Sequence, residues 1–212
     1  MTTLSGTGLT CLRGERIVFR DLSFSVAEGE TLCLRGSNGS GKSTLLRLMA
    51  GLLKPMAGQI RWNRENVADD WDEYHALIHY VGHKDAIKTA LSVRENLQFW
   101  ADMRQIDAEK QSIDKALETF AISHLAHLPA RYLSAGQSRR LNLARLTATP
   151  APIWLLDEPT TSLDADSVEA LKAAVAAHRQ KGGLVIMATH DATPDDAAVL
   201  DVSQFADKGE VA

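Results

Sequence analysis

A chain of 212 residues with a formal net charge of −4 can build one α/β domain with a sizeable core, but not two. Its 45% hydrophobic and 24% charged residues are ordinary for a globular protein, and the acidic balance argues against nucleic acid as a partner. No apolar run approaches the ~18 residues that cross a bilayer, and the N-terminus lacks the basic and apolar regions of a secretory signal, so the chain is expected to remain in the cytoplasm. Cys11 and Cys33 have strand-like flanks and no metal-ligand spacing, which reads as two reduced, buried thiols.

Taken in chain order, Leu22 to Val26 alternates apolar and polar residues, and Glu28-Gly29 turns the chain. Thr31 to Arg35 reads as a buried strand entering a glycine-rich segment. Lys42 to Ala50 reads as a helix with little polar face, ended by Gly51 and Pro55. Gln59 to Trp62 and Leu77 to Val81 are further strands. Val93, Leu97, Trp100 and Met103 share one helical face, and Ile113, Leu117 and Phe120 another, so about 86–149 reads as a helical subdomain inserted into a core of about 1–85 and 150–205. Ser134 to Thr149 is a helix, Ile153 to Asp157 a buried strand, Ser167 to Gln180 a helix stopped by Gly182-Gly183, and Leu184 to Thr189 another strand. Strands alternating with helices imply an α/β fold with a mostly parallel sheet. After Val202 the chain reads as frayed, with a polar tail at 206–212.

Gly36-Ser37-Asn38-Gly39-Ser40-Gly41-Lys42-Ser43, followed by Thr44, fits G-x-x-x-x-G-K-[ST] and has the strand before it and the helix after it that this pattern requires. Successive backbone N–H groups must curl around a phosphate, which needs angles that side chains forbid. The helix N-terminus adds partial positive charge, Lys42 reaches the β- and γ-phosphates of a nucleotide, and the Ser43 hydroxyl is a Mg²⁺ ligand. Ile153 to Asp157 delivers a carboxylate at the carboxyl end of a buried strand, suited to organising Mg²⁺ through water. Glu158, next in the chain, is placed to act as general base toward a water attacking the γ-phosphate.

Leu133-Ser134-Ala135-Gly136-Gln137 resembles the LSGGQ signature of ABC transporter ATPases, with Ala135 replacing the first glycine; read alone it is a helix cap. Ser162-Leu163-Asp164 resembles that family's D-loop, and Thr189-His190 its switch histidine. The resemblance runs from about Leu9 to Val202. It implies a P-loop NTPase (RecA-like) fold with a mostly parallel sheet, an antiparallel β part and an inserted helical subdomain, all within a single ATPase domain at 1–205. It further implies ATP and Mg²⁺ as ligands and a head-to-tail homodimer. There, Leu133 to Gln137 of one copy complete the ATP site of the other, and closure drives integral-membrane transporter subunits. His190 is implied as the sensor of the γ-phosphate.

Two departures stand out against that resemblance. Arg13 falls where many members carry the aromatic residue that stacks on adenine; a planar guanidinium also stacks, and the alternative is a solvated loop residue. His83 falls where the Q-loop glutamine belongs, either as a metal or water contact or as a residue that only shapes the loop. Gly82-His83, Ile87-Lys88-Thr89, Arg94-Glu95-Asn96-Leu97 and the Ala135 variant together resemble the ATPases of cytochrome c maturation. That branch implies a peripheral ATPase on the cytoplasmic face of a bacterial inner membrane, coupling hydrolysis to haem export or delivery, with no direct haem binding expected of this subunit. The alternatives are the ATPase of another ABC transporter, or a soluble ABC ATPase, a class that usually carries tandem domains or coiled-coil insertions.

Overall fold

The computed structural model describes residues 2–104, 110–190 and 196–206. The chain divides into two compact units, one built from Met1–Tyr80, Pro152–Glu158 and Arg179–Ala212, the other from Val81–Ala151 and Pro159–His178.

The first unit holds two sheets. In one, β1 (Thr3–Arg13) and β2 (Arg16–Ala27) form a long antiparallel hairpin, β4 (Ala57–Trp62) pairs with the other edge of β1, and the two-residue β5 (Glu65–Asn66) closes the order β2-β1-β4-β5. The other sheet has the order β6-β7-β8-β3-β9, from β3 (Thr31–Arg35), β6 (Ile78–Val81), β7 (Ile153–Asp157), β8 (Leu184–Ala188) and β9 (Ala198–Asp201). β3 pairs in parallel with both β8 and β9, and β7 in parallel with β8. Every residue of β7 and β8 is buried, as is all of β3 but Arg35, which is why these strands read as unbroken apolar runs.

Helix α1 (Lys42–Met49) contributes Leu45, Leu46, Leu48 and Met49, all fully buried, to one core with Phe19, Leu34, Leu155 and Ile186. A short helix, α2 (Trp71–Ala76), begins at the Asp70 cap and buries Tyr74, whose hydroxyl donates to the Met49 carbonyl at 2.7 Å. Burial raises that phenol's pKa, so it stays a neutral donor. The sequence reading gives β1 only as the strand-like flanks of Cys11 and contains neither β9 nor α2. It also errs at the end: Val202 is fully buried and opens a 3₁₀ turn to Phe205, which packs on the core, so this stretch is not frayed. Residues 207–212 of the expected tail lie outside the described residues.

In the second unit, α3 (Val93–Met103), α4 (Lys110–Thr119) and α5 (Ala135–Ala148) pack on one another, with α6 (Ala165–Gln180) running into the first unit. Val93, Leu97, Ile113, Leu117 and Phe120 are buried as their spacing requires, whereas Met103, at the end of α3, is 60% exposed. Arg94 pairs with Asp114 between α3 and α4. α5 is buried around most of its circumference, including three polar side chains, Arg139, Asn142 and Arg145. Arg145 lies over the Trp100 ring at 4.6 Å, and burial pushes its guanidinium pKa down to about 10.

Asn96, 1% exposed, pins the loop that enters this unit: its Oδ1 accepts from Lys88 N (2.8 Å), and its Nδ2 donates to the carbonyls of Lys88, Leu91 and Ser92. Removing the amide strands a buried N–H and several carbonyls. Asn96→Ala is expected to cost about 2–4 kcal/mol, read as a lower urea midpoint; an unchanged midpoint contradicts this role.

Candidate active site

Between β3 and α1 the chain follows residues 36–41, and three of its glycines take backbone angles closed to other residues: Gly36 at φ 134°, Gly39 at 81° and Gly41 at 106°. At Gly41 a Cβ would also lie 2.7 Å from Val18 Cγ1, so the position needs glycine for space as well as for torsion. The result is a loop that feeds directly into the N-terminus of α1, where unpaired N–H groups and the helix dipole favour an anion.

Lys42 is only 7% exposed, and its ammonium donates to the carbonyls of Gly36 (2.8 Å) and Ser37 (3.2 Å), so the cation is folded back onto the loop. The Ser40 hydroxyl is buried without a hydrogen-bond partner among the described residues, a donor facing the same cradle. A cleft of 580 Å³ opens over the loop, lined by residues 37–44, by Arg13, Arg16 and Val18 of the first hairpin, by Glu158, and by Ser203 and Ala206.

The strand β7 brings Asp157 to this loop: the Ser43 hydroxyl donates to Asp157 Oδ1 at 2.9 Å, although the two are 114 positions apart. Both are hard oxygen donors. Glu158 follows in a left-handed backbone conformation (φ 47°), its N–H donating to the Ala188 carbonyl at 2.9 Å. Its Oε1 lies 3.4 Å from His190 Nε2, just past the end of β8. The first unit therefore gathers Arg13, residues 36–44, Asp157, Glu158 and His190 from four separate stretches of chain.

The remaining candidates belong to the second unit. Ser134 caps α5 in a capping box: its hydroxyl accepts from Gln137 N–H (3.2 Å), and Gln137 Oε1 accepts from Ser134 N–H (2.9 Å). Leu133 precedes this cap, and Ala135 is the first helical residue. A Cβ on Gly136 would lie 3.0 Å from the Ser162 carbonyl, so a small residue is needed for the close approach of the turn holding Ser162 (φ 66°) and Leu163. Asp164 caps α6 through Ser167 N–H and pairs with Arg140 at 2.7 Å; its carboxyl is held below the usual range, chiefly by the Ser167 hydrogen bonds. His83 is exposed and lies outside the cleft lining.

Sequence reasoning missed Arg16 and Val18 in the cleft, and Arg139 beyond it. A signal for Arg16 existed: Arg13-Gly14-Glu15-Arg16 is a two-residue hairpin turn, which pairs the two arginines. Arg139, 3% exposed, donates to Gly82 O (2.9 Å), Asp85 Oδ1 (3.0 Å) and Pro159 O (3.2 Å), and Asn142 joins it on Asp85 at 2.8 Å. No local pattern announces such a cluster.

Residues 19–161 match the family model described as ABC transporter. The chain is 50% identical over 208 residues to a Paramagnetospirillum magneticum protein named cytochrome c biogenesis ATP-binding export protein CcmA, with 97% of this chain and 96% of that one covered. It is 52% identical over 203 residues to the protein of the same name from Rhodospirillum rubrum, covering 95% and 86%. In structure it is similar to the ATP binding subunit of an ABC transporter, with a TM-score of 0.84, 24% identity and 94% and 86% of the two chains covered. The chain therefore belongs to the ABC transporter family and is one of its ATP-hydrolysing subunits.

Proposed function

We propose that this chain, as one ATPase domain, binds MgATP over residues 36–44 and hydrolyses it with Glu158, powering the ABC transporter of cytochrome c maturation. The observation that carries the catalytic reading is the 2.9 Å bond between Ser43 and Asp157, with the Glu158–His190 pair beside it. Two oxygen donors at one point suit Mg²⁺, which is commonly held by one or two protein groups together with substrate phosphates. Ser43 would bind the ion directly and Asp157 through water; bound there, Mg²⁺ would neutralise charge on the β- and γ-phosphates.

Binding requires Lys42 to exchange two carbonyls for phosphate oxygens, and backbone N–H groups of the loop to accept the charge of the leaving group. Glu158 takes the proton of a water whose oxygen bonds to the γ-phosphorus while the β–γ bridging P–O bond breaks. His190, within reach of Glu158, orients the carboxylate and senses the γ-phosphate. Glu158→Gln is expected to keep ATP binding and lower kcat by roughly a hundredfold or more; turnover near that of the unmodified chain rejects Glu158 as base.

The Ser134 to Gln137 helix terminus serves a second copy's nucleotide, giving a homodimer with two composite sites. The capping box supports this, because it fixes Ser134 and the Gly136 backbone at the tip of α5. His83 takes the Q-loop position in the second unit, where it contacts water or shapes the loop. Lys42→Ala and Gly136→Asp are each expected to abolish hydrolysis, while an equal mixture regains about a quarter of the intact sites, since heterodimers keep one. A mixture as inactive as its parts excludes composite sites.

The relatives named for cytochrome c biogenesis support the biological reading. The chain works at the cytoplasmic face of the inner membrane as a peripheral partner of integral-membrane subunits, and its load is haem exported or delivered to c-type cytochromes. Among the described residues no helix is long and apolar enough to cross a membrane. Deleting the gene should leave c-type cytochromes without haem, seen by haem staining; normal maturation assigns the ATPase to another transporter.

A further inference from the structure

The part of the cleft away from the phosphate loop has an unusual chemistry. Its lining contains no aromatic side chain. Instead the hairpin presents Arg13 and Arg16, paired directly across the two strands, with Gly14 at φ 62° completing the turn. Both arginines are exposed, and neither makes an ion pair or hydrogen bond among the described residues. Glu15, the acidic residue of the same turn, is not part of the lining.

The hairpin is also anchored to the phosphate loop. Val18 Cγ1 would be the nearest atom, at 2.7 Å, to a Cβ on Gly41. Arg16 and Val18 lie on one face of β2, two residues or roughly 7 Å apart. Arg13, Arg16 and residues 37–44 line one cleft, so a nucleotide with its phosphates in the loop has room to place its base beside the two guanidiniums.

A guanidinium stacks on any purine face, so stacking there does not discriminate between purines. In the plane of the base it offers donors only. Guanine presents two acceptors on one edge, O6 and N7, which an arginine fork matches with two hydrogen bonds. Adenine presents N7 beside its N6 amino donor, so the same fork gains one hydrogen bond and faces a donor with the other arm.

We propose that Arg13 and Arg16 form a purine-reading clamp that favours guanine, so that this ATPase also binds and hydrolyses GTP, at least as efficiently as ATP. The reaction is unchanged: water adds to the γ-phosphorus, the β–γ bridging bond breaks, its proton passes to Glu158, and GDP and phosphate leave. This proposal rests on the assignment of hydrolysis to the same cleft.

The test is phosphate release by the purified full-length chain, with kcat/KM measured separately for MgATP and MgGTP. The expected GTP-to-ATP ratio is about one or higher. Arg13→Tyr retains a stacking surface but loses the donors, and Arg16→Ala removes the second fork. Each should lower the ratio by about fivefold or more, the discrimination of one good bidentate contact, chiefly through KM for GTP. Hydrolysis of ATP with GTP more than tenfold worse overturns the clamp and leaves the ATPase intact. Equal losses for both nucleotides in the two variants overturn base reading by these residues. No hydrolysis of either nucleotide overturns the underlying ATPase assignment instead.

Discussion

A protein of net charge −4 that is to hold a polyanion needs local attraction, and the backbone geometry of one loop is suited to supply it. The loop from Gly36 to Gly41 takes its path only because its glycines accept torsions of 81° to 134°. Fixed dipoles then supply attraction that a cluster of lysines would otherwise have to provide, without the mutual repulsion of those charges. Lys42 shows the cost of the arrangement: with 7% exposure its cation must be satisfied at all times, and the carbonyls of Gly36 and Ser37 hold it there. A phosphate bound at Lys42 would therefore exchange partners with a buried charge rather than bury a new one.

The sheet order explains why the catalytic groups meet. β7 and β8 lie beside β3, so the carboxyl ends of three parallel strands converge on the loop that leaves β3. Asp157 is placed by strand register, and Glu158 and His190 follow closely on the ends of β7 and β8, which is a rigid form of support. Glu158 departs from that regularity with its positive φ, at the point where the chain passes from the first compact unit to the second. A backbone held in a sparsely populated region directly at this carboxylate fits a residue whose orientation is specified and not left to rotamer choice.

Much of this was legible in the chain because each motif is also a local structural unit. The loop–helix signature requires a strand before it and a helix after it, and both have strong apolar patterns. Ile153 to Asp157 and Leu184 to Ala188 are buried on both faces and read as such. The parts that escaped are held by distant partners. β1 carries glycines and threonines whose burial depends on β2 and β4, α2 is six residues long and anchored by Tyr74 on Met49, and β9 is an edge strand with exposed Ala198 and Val199. The stretch after Val202 is short and polar like a tail, yet the turn Val202–Phe205 packs on the first sheet and β3. The compact units likewise group 159–178 with the helices, a choice made by packing that no stretch of sequence announces.

The guanidinium of Arg139 has a consequence for how this chain can change over time. It joins Gly82, Asp85, Asn142 and Pro159 in one cluster within the second unit, with its own side chain 4% exposed. A neutral residue at 85 would take the carboxylate from a buried cation, and a neutral residue at 139 would take the guanidinium from that carboxylate. Positions 85, 139 and 142 are thus energetically coupled: a replacement at one changes what a replacement at the others costs. The three form a single unit, spread over fifty-seven positions of chain.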